Sequence, residues 1–128
     1  MNVPFNHHFS RFIYFCVLVG LTVASQAEPS AEGIAFFEKK IRPVLVEHCY
    51  KCHSANSEKV RGELLVDTRA GLLRGGASGH AVVPKNPEAS LLIEAIQHED
   101  EDLAMPPKKK LPASVIADFE KWITGDEG

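Results

Sequence analysis

The sequence has 128 residues, of which 45% are hydrophobic and 24% charged, and its formal net charge at pH 7 is −3. This length favours a single domain, and this composition is that of an ordinary globular protein rather than a disordered or fibrous one. The slight acidity argues against a nucleic-acid-binding protein, which would carry a basic face.

The first 27 residues have the pattern of a secretory signal peptide. Arg11 supplies positive charge, residues 12–24 are almost wholly apolar, and a Ser-Gln-Ala sequence ends the segment at Ala27. A spanning helix needs about 20 apolar residues, so this run favours a signal over a permanent anchor. We predict cleavage after Ala27, export to the periplasm or another location outside the cytoplasm, and membrane association only if the signal is retained. Residues 28–128 would then form the mature domain.

The next segments predict a helix, a loop and a second helix. Ser30 can cap a helix whose apolar positions recur at helical spacing, and Pro43 should kink it or make it restart. Residues 54–63 are too charged for a core and predict a surface loop. Asp67 is expected to cap a short second helix, which Gly75 and Gly76 would end.

Two further helices are predicted in the C-terminal half. Asn86-Pro87-Glu88 is a helix start signal, and an apolar stripe follows it. Residues 99–110 contain acids, two prolines and lysines and cannot form regular helix, whereas Pro112 should open a last helix. The stripe of the first of these helices consists of Leu91, Leu92, Ala95 and Ile96, and that of the last of Val115, Ile116, Phe119, Trp122 and Ile123. The chain thus predicts four or so short helices joined by long loops, and such loops usually wrap something or serve a function.

The sequence Cys49-Tyr50-Lys51-Cys52-His53 is a C-x-x-C-H motif, the pattern of covalent haem attachment. Two thiols separated by two residues in a turn can each form a thioether with one of the two haem vinyl groups. The histidine that follows is then placed beneath the iron. Cys16, the remaining cysteine, would be lost with the signal.

Other chemistry at these cysteines is possible. A zinc site needs four ligands, and the other mature histidines, His48, His80 and His98, are scattered singly. A thioredoxin-like pair would lie near a βαβ pattern, which is not visible. A plain structural disulfide is the third alternative.

An electron-carrying haem needs a second axial ligand, and the mature chain has one methionine, Met105. It lies in an irregular segment between acids and a double proline, which is a poor place for ordinary core packing. We therefore predict that Met105 binds the distal side of the iron. His80 and His98 are the alternatives, and His98 is the better of the two because it ends a helix.

The terminal helices provide a further pattern. Gly33 and Phe37 on the first helix and Trp122 on the last would let two helices cross closely. The features in sequence order are Gly33, Phe37, Ile41-Arg42-Pro43-Val44-Leu45, the C-x-x-C-H motif, Gly75-Gly76-Ala77-Ser78-Gly79, Pro87-Glu88-x-Ser90-Leu91-Leu92, Met105-Pro106-Pro107 and Lys121-Trp122-Ile123.

This order resembles the class I cytochrome c fold and, more closely, the planctomycete-type cytochrome c domain family. The resemblance implies an all-α domain wrapped around one covalently bound haem c. Residue by residue, it implies thioethers at Cys49 and Cys52, His53 as proximal ligand and Met105 as distal ligand. Phe37 and Trp122 would pack in the haem pocket.

The resemblance also implies a function: one-electron transfer between a donor and an acceptor redox protein, without catalysis of its own. A haem peroxidase or sensor, with an open sixth position on the iron, is the enzyme alternative. Family members often form the N-terminal module of longer secreted proteins. Lys108, Lys109 and Lys110 are a candidate docking patch for an acidic redox partner, and a solvated loop is an equally good interpretation of them.

Overall fold

The computed structural model describes residues 28–125, and this part of the chain is all-α, as predicted. Helices α1 to α6 span Ala31–Phe36, Arg42–His48, Tyr50–His53, Arg69–Arg74, Leu91–Gln97 and Ala113–Thr124. Within residues 28–125 the extended pairing is limited to one isolated bridge between Gly76 and Gly79. No helix in this range is long and apolar enough to cross a membrane. The predicted signal peptide lies outside the described residues and stays a prediction.

The first helical region runs from α1 into α2 through a π-helical turn, Phe37–Ile41. Ser30 caps its start as predicted, because its Oγ accepts from the Gly33 N–H at 3.0 Å. At the end of the π turn the Arg42 N–H donates to Phe37 O, five residues back. The next residue, Pro43, has no N–H with which to continue this pattern. The expected interruption is therefore a π turn followed by a new helix.

Helix α4 starts one residue later than predicted. The capping residue is Thr68, whose Oγ1 accepts from the Gly71 N–H at 3.0 Å. Asp67 is not the cap, because its Oδ2 accepts instead from the Ala55 N–H at 2.8 Å and ties the preceding loop to this segment. Gly75 ends the helix at φ 74°, a conformation that glycine adopts without strain.

Asn86, predicted to start the next helix, instead caps a separate 3-10 turn, Pro87–Ala89, which comes before α5. The Asn86 side chain accepts from the Ala89 N–H at 3.1 Å. Ser90 then separates the two elements: it is 1% exposed, and its Oγ accepts from the Val83 N–H and donates to the Asn86 carbonyl. The predicted stripe on α5 is partly wrong, because Leu91 and Ala95 are only partly buried whereas the unpredicted Ile93 is buried.

The first and last helical regions cross and form the centre of the core. Gly33 is buried on α1, and the π turn contacts α6. The apolar face predicted for α6 is confirmed: Ile116, Phe119, Trp122 and Ile123 are buried and Val115 packs against them. Helix α5 contacts α6 from another side. The crossing thus holds the N-terminal region that leads into the cysteines.

Candidate haem site

A cavity of about 390 Å³ lies between the end of the first helical region, α5 and the loop that precedes α6. Its volume is within the range of small-molecule and cofactor sites. Most of its surface is apolar, with walls that include Leu64, Val66, Ala81, Leu91, Leu92 and Ile96. Cys49, His53 and Met105 also line it, so the structure brings three of the four predicted attachment and ligand residues to one cavity.

The cysteine motif forms a tight helical turn. The N–H groups of Cys52 and His53 both donate to the Cys49 carbonyl, at 3.1 and 3.0 Å. Ser54, which ends α3, is buried and donates from Oγ to the Tyr50 carbonyl at 2.7 Å. Cys52 is part of this turn but is not among the residues that line the cavity. Both cysteines are free thiols here, so the structure contains no disulfide between them.

The Cys49 thiol lies in an apolar environment. Burial, and to a lesser extent the neighbouring Cys52, raises the pKa of Cys49 to about 11. Both causes disfavour the thiolate. Cys49 is therefore a neutral thiol at physiological pH.

His53 is half-buried, and its backbone is hydrogen-bonded to another segment of the cavity wall. Its carbonyl accepts from the Val66 N–H at 2.8 Å, which ties α3 to the segment before α4. Its Nδ1 is buried and has no hydrogen-bond partner among the described residues. No hydrogen bond therefore fixes which ring nitrogen of His53 carries the proton.

Met105 is half-buried, and its backbone is held by the end of α5. Its N–H donates to the Ala95 carbonyl at 2.9 Å, and its own carbonyl is 3.0 Å from His98 Nε2. The segment around it has no regular secondary structure, as predicted for residues 99–110. The thioether-bearing residue thus reaches the cavity from a loop that α5 anchors.

The two alternative histidine ligands are placed differently. Neither His80 nor His98 is among the residues that line the cavity. The exposed His80 donates from Nδ1 to the Leu73 carbonyl at 3.0 Å, and His98 Nε2 donates to the Met105 carbonyl. Of the three candidates for the second axial position, Met105 is the one at the cavity surface.

Comparison with protein families gives a match to the planctomycete cytochrome C model over residues 49–109. This segment belongs to the planctomycete cytochrome C family. It begins at the first cysteine of the motif and includes Met105, while α1, the π turn, α2 and α6 lie outside it. Comparison with curated proteins gave no match, and neither did comparison with solved structures. A cytochrome c domain indicates a haem-binding electron carrier rather than an enzyme.

The side chains of the cytochrome c domain fit a haem. An imidazole and a thioether at one apolar cavity are the donor pair of His/Met-ligated haem iron. Among the described residues, no group of three or more His, Cys, Asp or Glu could hold a metal ion on its own. The structure therefore gives no support to the zinc alternative, and the motif also lies outside any βαβ arrangement.

Two residues expected to pack in the haem pocket do not line this cavity. Phe37 and Trp122 line a second cavity, of about 210 Å³, and not the one that holds His53. Trp122 Nε1 and Asp67 Oδ1, both at this second cavity, are buried without hydrogen-bond partners among the described residues. The aromatic pair belongs to the helix crossing, and its predicted role as haem-pocket packing has no support in this geometry.

Several cavity residues were not singled out from the sequence. Arg61 and Gly62, in the charged stretch expected to be only surface loop, line the cavity beside Gly76. Gly62 has φ 59°, and a Cβ added at Gly76 would overlap the Gly62 carbonyl oxygen. This close backbone approach requires glycine at Gly76. The glycine clusters in the sequence were the available signal for it.

Proposed function

We propose that this protein carries one haem c, attached to Cys49 and Cys52 with His53 and Met105 as axial ligands, and transfers one electron at a time between redox proteins. The observation that carries the proposal is the presence of Cys49, His53 and Met105 at one apolar cavity. The family match supports the cofactor, because a cytochrome c domain implies haem c. Domains of this kind are typically exported, which agrees with the predicted signal peptide.

When bound, the haem supplies an iron that changes oxidation state by one electron. Cys49 and Cys52 tether it covalently, which fixes its position relative to the two axial residues. With His53 and Met105 as its two axial ligands, the iron would have no position open for peroxide or another substrate. This arrangement favours an electron carrier over a peroxidase or a sensor.

The protein environment also sets the direction in which the potential shifts. The Met105 thioether favours reduced iron and therefore raises the reduction potential. The apolar part of the cavity wall would lower the local dielectric, which disfavours the form of the haem with the greater net charge. Lys108, Lys109 and Lys110 are exposed on the loop that carries Met105 and form the proposed docking patch for an acidic redox partner.

The test is expression of the full chain together with a cytochrome c maturation system. Purified protein should be coloured, should show the absorption of low-spin haem and should keep its haem through denaturation and acid-acetone extraction, because thioethers are covalent. Replacing Cys49 and Cys52 together by alanine should abolish this. Cys16→Ala is the matched control and should leave covalent haem in place. Freely extractable haem, or a colourless protein, would refute the c-type assignment.

A further inference from the structure

The end of α5 holds the backbone of Met105 through a three-residue hydrogen-bond junction. The Ala95 carbonyl, at the C-terminal end of the helix, accepts from two N–H groups: that of His98 at 3.3 Å and that of Met105 at 2.9 Å. His98 adopts the left-handed conformation, with φ 55°. Histidine is one of the few residue types other than glycine that is enriched in this conformation. The Ala95 carbonyl at the helix end is thus hydrogen-bonded both to His98 and to the loop residue Met105.

The His98 side chain completes the junction. Its Nε2 is 3.0 Å from the Met105 carbonyl oxygen. A carbonyl oxygen can only accept, so Nε2 carries the hydrogen and donates. Both hydrogen-bonding groups of the Met105 backbone are therefore bound, the N–H by Ala95 and the carbonyl by His98. His98 is half-buried and is not one of the residues that line the cavity.

We propose that His98 is a positioning residue that keeps the Met105 side chain at the iron, and this inference rests on the proposed ligation by Met105. The loop of residues 99–110 lacks regular structure, so holding one of its residues at a fixed place costs conformational entropy. The hydrogen bond from His98 to Met105 restricts the loop before the iron is bound, so less conformational entropy is lost when the thioether binds. It thereby raises the effective concentration of the thioether at the iron relative to ligands from solution.

The test measures how strongly imidazole competes for the sixth position of the ferric, haem-loaded full chain. His98→Gly keeps the left-handed backbone but removes the donor, so imidazole affinity should rise about threefold to tenfold, the equivalent of one lost hydrogen bond. His98→Gln can place an amide nitrogen near the position of Nε2 and should restore affinity to within about twofold of wild type. His80→Ala removes a histidine-to-carbonyl bond that does not contact Met105, and should leave the affinity unchanged.

A second pair of variants covers the case in which His98→Gly does not accumulate. His98→Glu has the shape of the Gln variant but no N–H, so it should bind imidazole more tightly than His98→Gln does. Equal affinities in this pair, or an unchanged affinity in His98→Gly, would overturn the positioning role, provided that Met105→Ala raises imidazole affinity. If Met105→Ala leaves imidazole affinity unchanged, the proposed methionine ligation itself fails. If a His98 variant alone opens the site, His98 is the ligand and both proposals are wrong.

Discussion

The ring of Phe37, in the π turn, lies 5.4 Å from that of Trp122, in α6, at an interplanar angle of 41°. Trp122 in turn meets Phe119 edge to face at 6.4 Å. An ion pair between the exposed Lys40 and the half-buried Asp118, 3.4 Å apart, spans the same crossing, but ion pairs at a protein surface contribute little. The aromatic contacts therefore contribute more to this crossing than the ion pair does.

Trp122→Ala should lower the free energy of unfolding by about 3–5 kcal/mol, because it removes a large side chain that is 5% exposed. The measurement is guanidinium chloride unfolding of the haem-loaded protein, followed by far-UV circular dichroism. Ile34→Ala is the control, since Ile34 is 51% exposed on α1 and should change stability by no more than about 0.5 kcal/mol. A Trp122 effect as small as that of Ile34 would contradict the importance of the crossing.

Met105→Ala should leave the haem attached, because attachment depends on Cys49, Cys52 and His53, but should free the sixth position. The ferric absorption band that reports sulfur ligation should disappear. The reduction potential should fall, and each 59 mV of fall corresponds to about 1.4 kcal/mol for a one-electron couple. Spectroelectrochemistry measures both effects. A silent Met105→Ala would mean that another residue binds the iron.

Without haem, residues 28–128 should be largely unfolded. The cavity of about 390 Å³ would be left unfilled, and a domain this small has little core to spare. The measurement is thermal unfolding of the variant in which Cys49 and Cys52 are both alanine, with Cys16→Ala as the haem-containing reference. A cooperative thermal transition in the haem-free protein would count against this expectation.

The Glu38 carboxylate should titrate at lower pH than an ordinary glutamate. Two 2.7 Å hydrogen bonds from the Arg42 guanidinium hold the pKa of Glu38 below its usual value of 4.5. Because the folded-state pKa is the lower one, the small stabilisation is present above pH 4.5 and is lost as the pH falls through the folded-state pKa. Carboxyl ¹³C shifts of the haem-loaded protein would show this. Arg42→Gln should move the midpoint up, whereas Lys40→Gln should not.

The residues with specific chemistry were predictable because their types are rare. After Ala27 the chain has two cysteines, one methionine and one tryptophan, so motif and composition single them out. The cavity walls were not predictable in the same way. Ala81 and Leu91 lie on different segments, and apolar residues reveal which cavity they line only when the loops are packed.

Local signals placed the helices but not always their first residues. Asp67 and Thr68 can each cap a helix, and the choice between them depends on the Ala55 N–H, twelve positions from Asp67 in the sequence. The signal at Asn86 predicted the start of a helix, but Asn86 caps a separate 3-10 turn, and the buried Ser90 divides that turn from α5. In both cases a side chain at the helix start accepts a hydrogen bond from outside the helix, Asp67 from Ala55 and Ser90 from Val83.

Val66 lines two of the cavities of the described residues, the one proposed for the haem and the one beside Trp122. It is 2% exposed, and its N–H donates to the carbonyl of His53. The Val66 side chain is therefore part of the wall of the cavity proposed for the haem and of the wall of a second cavity that contains unpaired polar atoms. A change in the size of that one side chain would therefore reshape both cavities at once.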